Sequence, residues 1–113
     1  MRLLERTCRP CPPGTAALER ATFEPLLEQI PAWGVTGGRL ARTIRFASFL
    51  EAIRFVDKLA TLAEDEQHHP DLHVLYDRVE IVLWTHTVGG LSHNDFIVAA
   101  KVDALLDHFD LGR

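Results

Sequence analysis

The chain has 113 residues, enough to build one hydrophobic core and too few for two. Its hydrophobic share of 47% and charged share of 25% are those of a soluble globular protein, and no apolar run approaches the roughly 20 residues that span a bilayer. A net charge of −4 without any Lys/Arg block argues against direct nucleic-acid binding.

The opening stretch from Met1 to Arg6 has no signal-peptide apolar core, so no targeting segment is expected. Pro10, Pro12, Pro13 and Gly14 stop any regular element, which makes residues 1–15 an irregular arm ahead of a domain spanning 16–113. The arm carries the only two cysteines, Cys8 and Cys11, in a C-x-x-C spacing. A structural zinc site needs a second ligand pair at related spacing, and none is evident; completion by His68 and His69 fits zinc-finger spacing poorly. A redox motif would open a helix inside a βαβ unit, whereas this one lies among prolines. The reading is a flexible or loosely docked arm with two free thiols and no metal, which suits a reducing, cytoplasmic setting.

Thr22 is a candidate N-cap for a short helix reaching about Ile30, with Pro25 in its first turn and Pro31 as its stop. Ala32 to Thr36 reads as a strand, Gly37-Gly38 as a two-residue hairpin turn, and Arg39 to Ala47 as the return strand. Ser48 and Glu51 form a capping-box pattern. The helix behind it shows an apolar stripe of Phe49, Ala52, Ile53, Val56, Leu59, Ala60 and Ala63, while Leu50, Phe55 and Leu62 fall outside the stripe and point to a second buried surface or a wider stripe. That helix fades through a polar run into His68-His69-Pro70. A strand is expected over His73 to Tyr76, a turn at Asp77-Arg78, and a strand from Val79 to His86. On the latter, Val79, Ile81, Leu83 and Thr85 share one face, and Glu80, Val82, Trp84 and His86 the other. Ser92, with Asp95 three residues on, caps a last helix lined by Ala99, Val102, Leu105, Leu106 and Phe109.

The order α-β-β-α-β-β-α with two hairpins predicts an α+β fold, a single four-stranded antiparallel sheet with helices on one face. The open face would carry Val82, Trp84 and His86 and must be covered or serve as a site.

Two adjacent imidazoles before a proline are the most informative local feature. They place two groups that titrate near neutrality at one constrained point of the backbone. Each candidate also has an ordinary structural explanation. His68 and His69 would suit the C-terminal end of a helix dipole, Glu64 is a solvated helix-end charge, Tyr76 and Trp84 can be sheet packing, and Asp95 can cap a helix. His73, His93 and His108 read as surface residues.

Joint spacing outweighs those separate explanations. The run EDEQHHPDLHVLYDRVEIVLWTHTVGGLSHND, from Glu64 to Asp95, closely resembles the pterin-4a-carbinolamine dehydratase family. It has an acid at Glu64, the His68-His69-Pro70 triplet, an aromatic at Tyr76, a histidine at His86 and an aspartate at Asp95, each at the family's spacing. Trp33, the stretch Arg45, Phe46 and Phe49, Thr85-His86 and Gly90-Leu91-Ser92 are also similar, so the resemblance covers about residue 22 to the end. It implies dehydration of 4a-hydroxytetrahydropterins to quinonoid dihydropterins, with no cofactor and no metal. His68 and His86 would be the acid–base pair and His69 would orient the pterin. Asp95 would hold an imidazole or support the substrate, Glu64 would add a nearby charge, and Tyr76 and Trp84 would line the substrate. Trp84 stands where relatives can carry smaller residues. The resemblance also implies a homodimer or homotetramer. A different class of function stays open: a non-catalytic assembly factor or chaperone, such as those proposed for RuBisCO, or a dimerisation cofactor of a transcription factor.

Overall fold

A computed structural model describes residues 2–112. Three α-helices and four strands follow in the order α1 (Arg20–Leu27), β1 (Gly34–Thr36), β2 (Arg39–Arg45), α2 (Phe49–Glu66), β3 (Asp71–Leu75), β4 (Arg78–Leu83) and α3 (His93–Leu105). The strands form one antiparallel sheet ordered β1-β2-β4-β3, so the two hairpins meet along β2 and β4, and β1 and β3 are the edges. The alternation in β4 works as read: Val79, Ile81 and Leu83 are fully buried, while Glu80 and Val82 are partly open. Leu40 and Ile44 of β2 join that inner face. Phe55 and Leu59 of α2 and Phe96, Val98, Ala99 and Val102 of α3 cover it, leaving the other face bare.

Local chemistry sets most element ends. Gly37 and Gly38 take φ of 58° and 73°, the paired left-handed conformation of a type I′ turn, at no side-chain cost. The Ser48 side chain accepts from the Glu51 backbone N–H, as the capping pattern requires. The Glu51 carboxylate has other work: it binds the Arg54 guanidinium and the Asp110 backbone N–H.

Several boundaries differ from expectation. The first helix starts at Arg20 with Glu19 as N-cap, so Thr22 lies inside it. The strand expected from Ala32 begins only at Gly34, after a turn that buries Trp33. The true buried stripe of α2 is Ala52, Phe55, Leu59 and Ala63; Phe49 and Ala60 are exposed. Both stripes have helical period, and the one centred on Phe55 wins because its ring fits between Phe46 and Phe109 at 4.9 and 5.5 Å. β3 begins two residues early, and its turn is Tyr76-Asp77, with Tyr76 at φ 61°. The second hairpin thus places a positive φ on the first turn residue without a glycine.

The arm is irregular beyond a single 3-10 turn at Leu3–Glu5, but it is not loosely docked. Leu3 is fully buried in the core, and the backbone N–H of Cys8 and Arg9 bond to the Glu66 carboxylate and the Asn94 side-chain oxygen at 2.8 and 3.0 Å. One leucine supplies the burial, and the hydrogen bonds satisfy backbone that prolines keep out of regular structure.

Candidate active site

Three element ends converge where β3 begins, β4 ends and α3 begins. Helix α2 closes on Gln67, whose left-handed conformation (φ 53°) turns the chain so that His68 points back towards α3. Pro70 then delivers the chain to β3. On the facing side β4 runs out at Leu83, Thr85 bridges to Gly90, and His86 opens a one-turn 3-10 helix.

At the centre is a buried carboxylate. Asp95, fully inaccessible, accepts from His68 Nε2 at 2.6 Å on one oxygen, and from Thr85 Oγ1 at 2.8 Å and the Ser92 backbone N–H at 2.9 Å on the other. The Thr85 and Ser92 hydroxyls meet at 2.7 Å. Ser92 and Asp95 also form the reciprocal capping box of α3. Capping and holding a histidine are therefore one arrangement, with an oxygen for each task. Because a carboxylate only accepts, neutral His68 must carry its proton on Nε2, which leaves the Nδ1 lone pair free.

His68 is almost wholly enclosed and borders two hollows. One, of about 350 Å³, is walled by His68, His69, Pro70, Trp84, Thr85 and His86. The other, of about 470 Å³, lies under the arm against Cys8, Arg9, Cys11 and Glu66. His86 is exposed, and its imidazole stacks on the Trp84 indole with centroids 3.8 Å apart. Trp84 donates its indole N–H to Asp71 at 3.2 Å. His69 is exposed and stands 3.7 Å from the Glu64 carboxylate, also exposed. Tyr76 is not brought to this place: it stacks on Phe49 at the far end of the β3–β4 hairpin. The five residues of β3 separate the two ends by roughly 17 Å.

Thr85 was legible as an inward-facing strand residue and as part of the resemblance, with no role attached; its hydroxyl proves to be part of the Asp95 cradle. Asn94, Glu66 and the arm had no local signal at all. Asn94 pairs both ways with the Arg9 backbone, accepting at 3.0 Å and donating at 2.6 Å, and the Cys8 thiol donates to the Asn94 carbonyl at 3.6 Å. Glu66 bridges Cys8 N–H to the Lys101 ammonium at 2.7 Å. Burial opposes the Glu66 charge, but these two donors outweigh it and hold its pKa below the ordinary glutamate value. Burial, followed by the Glu66 carboxylate, pushes the Cys8 thiol up to about 12. Both cysteines are free, and among the described residues no cluster of three or more His, Cys, Asp or Glu is arranged to hold a metal ion.

The family model described as pterin 4 alpha carbinolamine dehydratase matches residues 16–105. The chain belongs to the pterin-4-alpha-carbinolamine dehydratase family. A relative from Dechloromonas aromatica, named provisionally as such a dehydratase, is 44% identical over 105 residues, covering 93% of this chain and 94% of its own. One from Xanthomonas campestris pv. campestris, with the same provisional name, is 47% identical over 102 residues, covering 88% and 86%. Among solved structures, a transcriptional coactivator/pterin dehydratase from Brucella melitensis superposes with a TM-score of 0.75 at 30% identity, over 79% of this chain and 97% of that one. A pterin dehydratase-like protein described as a RuBisCO assembly factor in the alpha-carboxysome gives a TM-score of 0.55 at 28% identity, over 65% and 84%. The arm carrying Cys8 and Arg9 lies outside the stretch that the family model matches, whereas Glu66, Asn94 and Lys101, which hold it, lie inside.

Proposed function

We propose that this family member dehydrates 4a-hydroxytetrahydropterins to quinonoid dihydropterins, the step that returns a spent tetrahydrobiopterin to its recycling route. The observation that supports this most is the His68–Asp95 pair at 2.6 Å, opening on a hollow that His69 and His86 also line. The elimination has two proton movements: N5 gives up its proton, and the C4a hydroxyl leaves as water after receiving one. His68, with Nδ1 free and Asp95 behind its other nitrogen, takes the N5 proton, and Asp95 faces the positive charge that develops on the ring. His86 has no hydrogen-bond partner among the described residues at either ring nitrogen, and it delivers a proton to the hydroxyl. His69, with Glu64 beside it, orients the pterin ring. Two well-placed acid–base groups typically contribute about 10²–10⁴-fold each.

The test is stopped-flow dehydration of chemically generated 4a-hydroxytetrahydropterin by wild type, His68→Ala and His86→Ala. Wild type should exceed buffer clearly, and each variant should lose about 10²-fold or more. A wild-type rate equal to buffer overturns the enzyme reading. It would favour the second one, a non-catalytic assembly factor, which the likeness to the RuBisCO assembly factor supports; retention of the full His68, His69, His86 and Asp95 set speaks for catalysis.

The protein acts as a homodimer or larger homo-oligomer in the cytoplasm. Among the described residues its β3 edge is unpaired, and Val74, Leu75 and Tyr76 beside it are exposed, an arrangement that a second strand relieves. Two free thiols suit a reducing compartment. A monomer in equilibrium sedimentation at micromolar concentration would overturn the oligomer.

A further inference from the structure

The two catalytic imidazoles are held by different means. His68 is gripped by a buried carboxylate, whereas the His86 ring rests on the Trp84 indole and has no hydrogen-bond or ion-pair partner among the described residues. A stacked ring is only as well placed as the surface beneath it. Trp84 is itself half-exposed, so what fixes the indole matters.

Two groups fix it. Asp71, at the start of β3, takes the indole N–H at 3.2 Å. Arg39, at the start of β2, lays its guanidinium 4.3 Å from the indole centroid. The register explains why Arg39 is there: Leu40 pairs with Leu83, so the next step along the sheet sets Arg39 opposite Trp84 on the open face. The guanidinium forms no ion pair with a carboxylate among the described residues, and a planar cation is drawn to the negative face of an indole.

We propose that Arg39 is a positioning residue for the dehydration, acting through Trp84 to hold the His86 imidazole at the angle at which it meets the C4a hydroxyl. The proposal rests on the dehydratase reading for its catalytic consequence, but not for its structural one. Arg39 does not touch the substrate hollow, whose walls include Trp84 and His86. Small losses of orientation at a proton-transferring group are costly, since a displacement near 1 Å can take about 100-fold from a rate.

The experiment compares wild type with Arg39→Ala, Arg39→Met and Arg39→Lys, each checked for an unchanged circular-dichroism melt. Arg39 is exposed, so these variants should fold. One measurement is the NMR shift of the His86 ring protons in the neutral-ring limit, where stacking on the indole moves them upfield. The other is kcat and KM for 4a-hydroxytetrahydropterin. In Arg39→Ala and Arg39→Met the upfield shift should shrink and kcat fall about tenfold with KM within twofold. Arg39→Lys, which keeps a cation over the ring, should recover most of both. In a Trp84→Ala background, Arg39→Ala should add no further loss.

An unchanged His86 shift in Arg39→Ala overturns the proposal, as does a full shift change with kcat intact. A raised KM at constant kcat also overturns it, in favour of direct substrate binding. If wild type shows no dehydration at all, the dehydratase reading fails on its own, and the NMR comparison still decides whether Arg39 holds His86.

Discussion

Replacing Asp95 with asparagine keeps the shape of the buried group and exchanges one acceptor for a donor. The carboxylate accepts three hydrogen bonds, from Thr85 Oγ1, the Ser92 N–H and His68 Nε2. The amide oxygen can keep the first two, which places the new NH₂ against His68 Nε2. The opposite orientation would set that NH₂ against the Ser92 N–H and strand a buried donor at about 1–3 kcal/mol, so the first wins. Two donors cannot face each other, and His68 must then carry its proton on Nδ1. Nδ1, the nitrogen that Asp95 does not hold, becomes a donor and can no longer accept from N5 in the proposed reaction. The expected loss in kcat is the acid–base contribution of His68, about 10²–10⁴-fold, equivalent to roughly 3–5 kcal/mol of barrier. Stability should fall less, by about 1–3 kcal/mol, because the three charge-assisted bonds to the carboxylate become neutral ones. Asp95→Ala is less informative, since it strands three donors and removes half of the α3 capping box together. The assays are stopped-flow dehydration, long-range ¹H–¹⁵N correlation to read the tautomer, and urea unfolding. A flipped tautomer with kcat within threefold of wild type refutes the assignment of Nδ1 as proton acceptor; an unflipped tautomer refutes the reasoning about Asp95.

Three further outcomes follow from the same geometry. Glu66→Gln should cost about 1–3 kcal/mol at pH 7 by breaking the bridge between Cys8, Glu66 and Lys101. The folded Glu66 pKa lies below its unfolded value, so that contribution is complete above the unfolded value of about 4.3 and disappears as pH falls through the folded one. Urea melts of wild type and variant should therefore converge in acid, and a gap that persists there or widens contradicts the sign. Cys8, with a pKa of about 12, should be alkylated by iodoacetamide at pH 8 about a thousandfold more slowly in the native protein than in urea; mass-spectrometric peptide mapping would expose an equal rate. Phe55→Ala should destabilise by about 3–5 kcal/mol, because a fully buried ring between Phe46 and Phe109 leaves a cavity. A loss below about 1 kcal/mol in chemical denaturation would show that the sheet and helices close over the gap.

The order of elements was legible because its signals are local. Gly37-Gly38 makes a turn wherever it falls, Ser48 and Ser92 cap the helices that follow them, and the alternation from Val79 to Thr85 names the inner face of a strand. The candidate site residues were named through the resemblance that their joint spacing carries, and the structure brings His68 to Asp95 and sets His69 and His86 on the hollow beside them. Their surroundings were not legible. Tyr76 belongs to the same spacing pattern, yet β3 carries it to the far end of the hairpin. Arg39 reads as an ordinary strand charge until the β2–β4 register sets it over Trp84. The arm reads as free chain until Leu3 enters the core and Asn94 pairs with Arg9. Turns, caps and periodicity belong to contiguous backbone and are written in adjacent residues. Register, arm docking and the choice between two helical stripes come from burying many distant side chains at once, and no short stretch of chain carries that information.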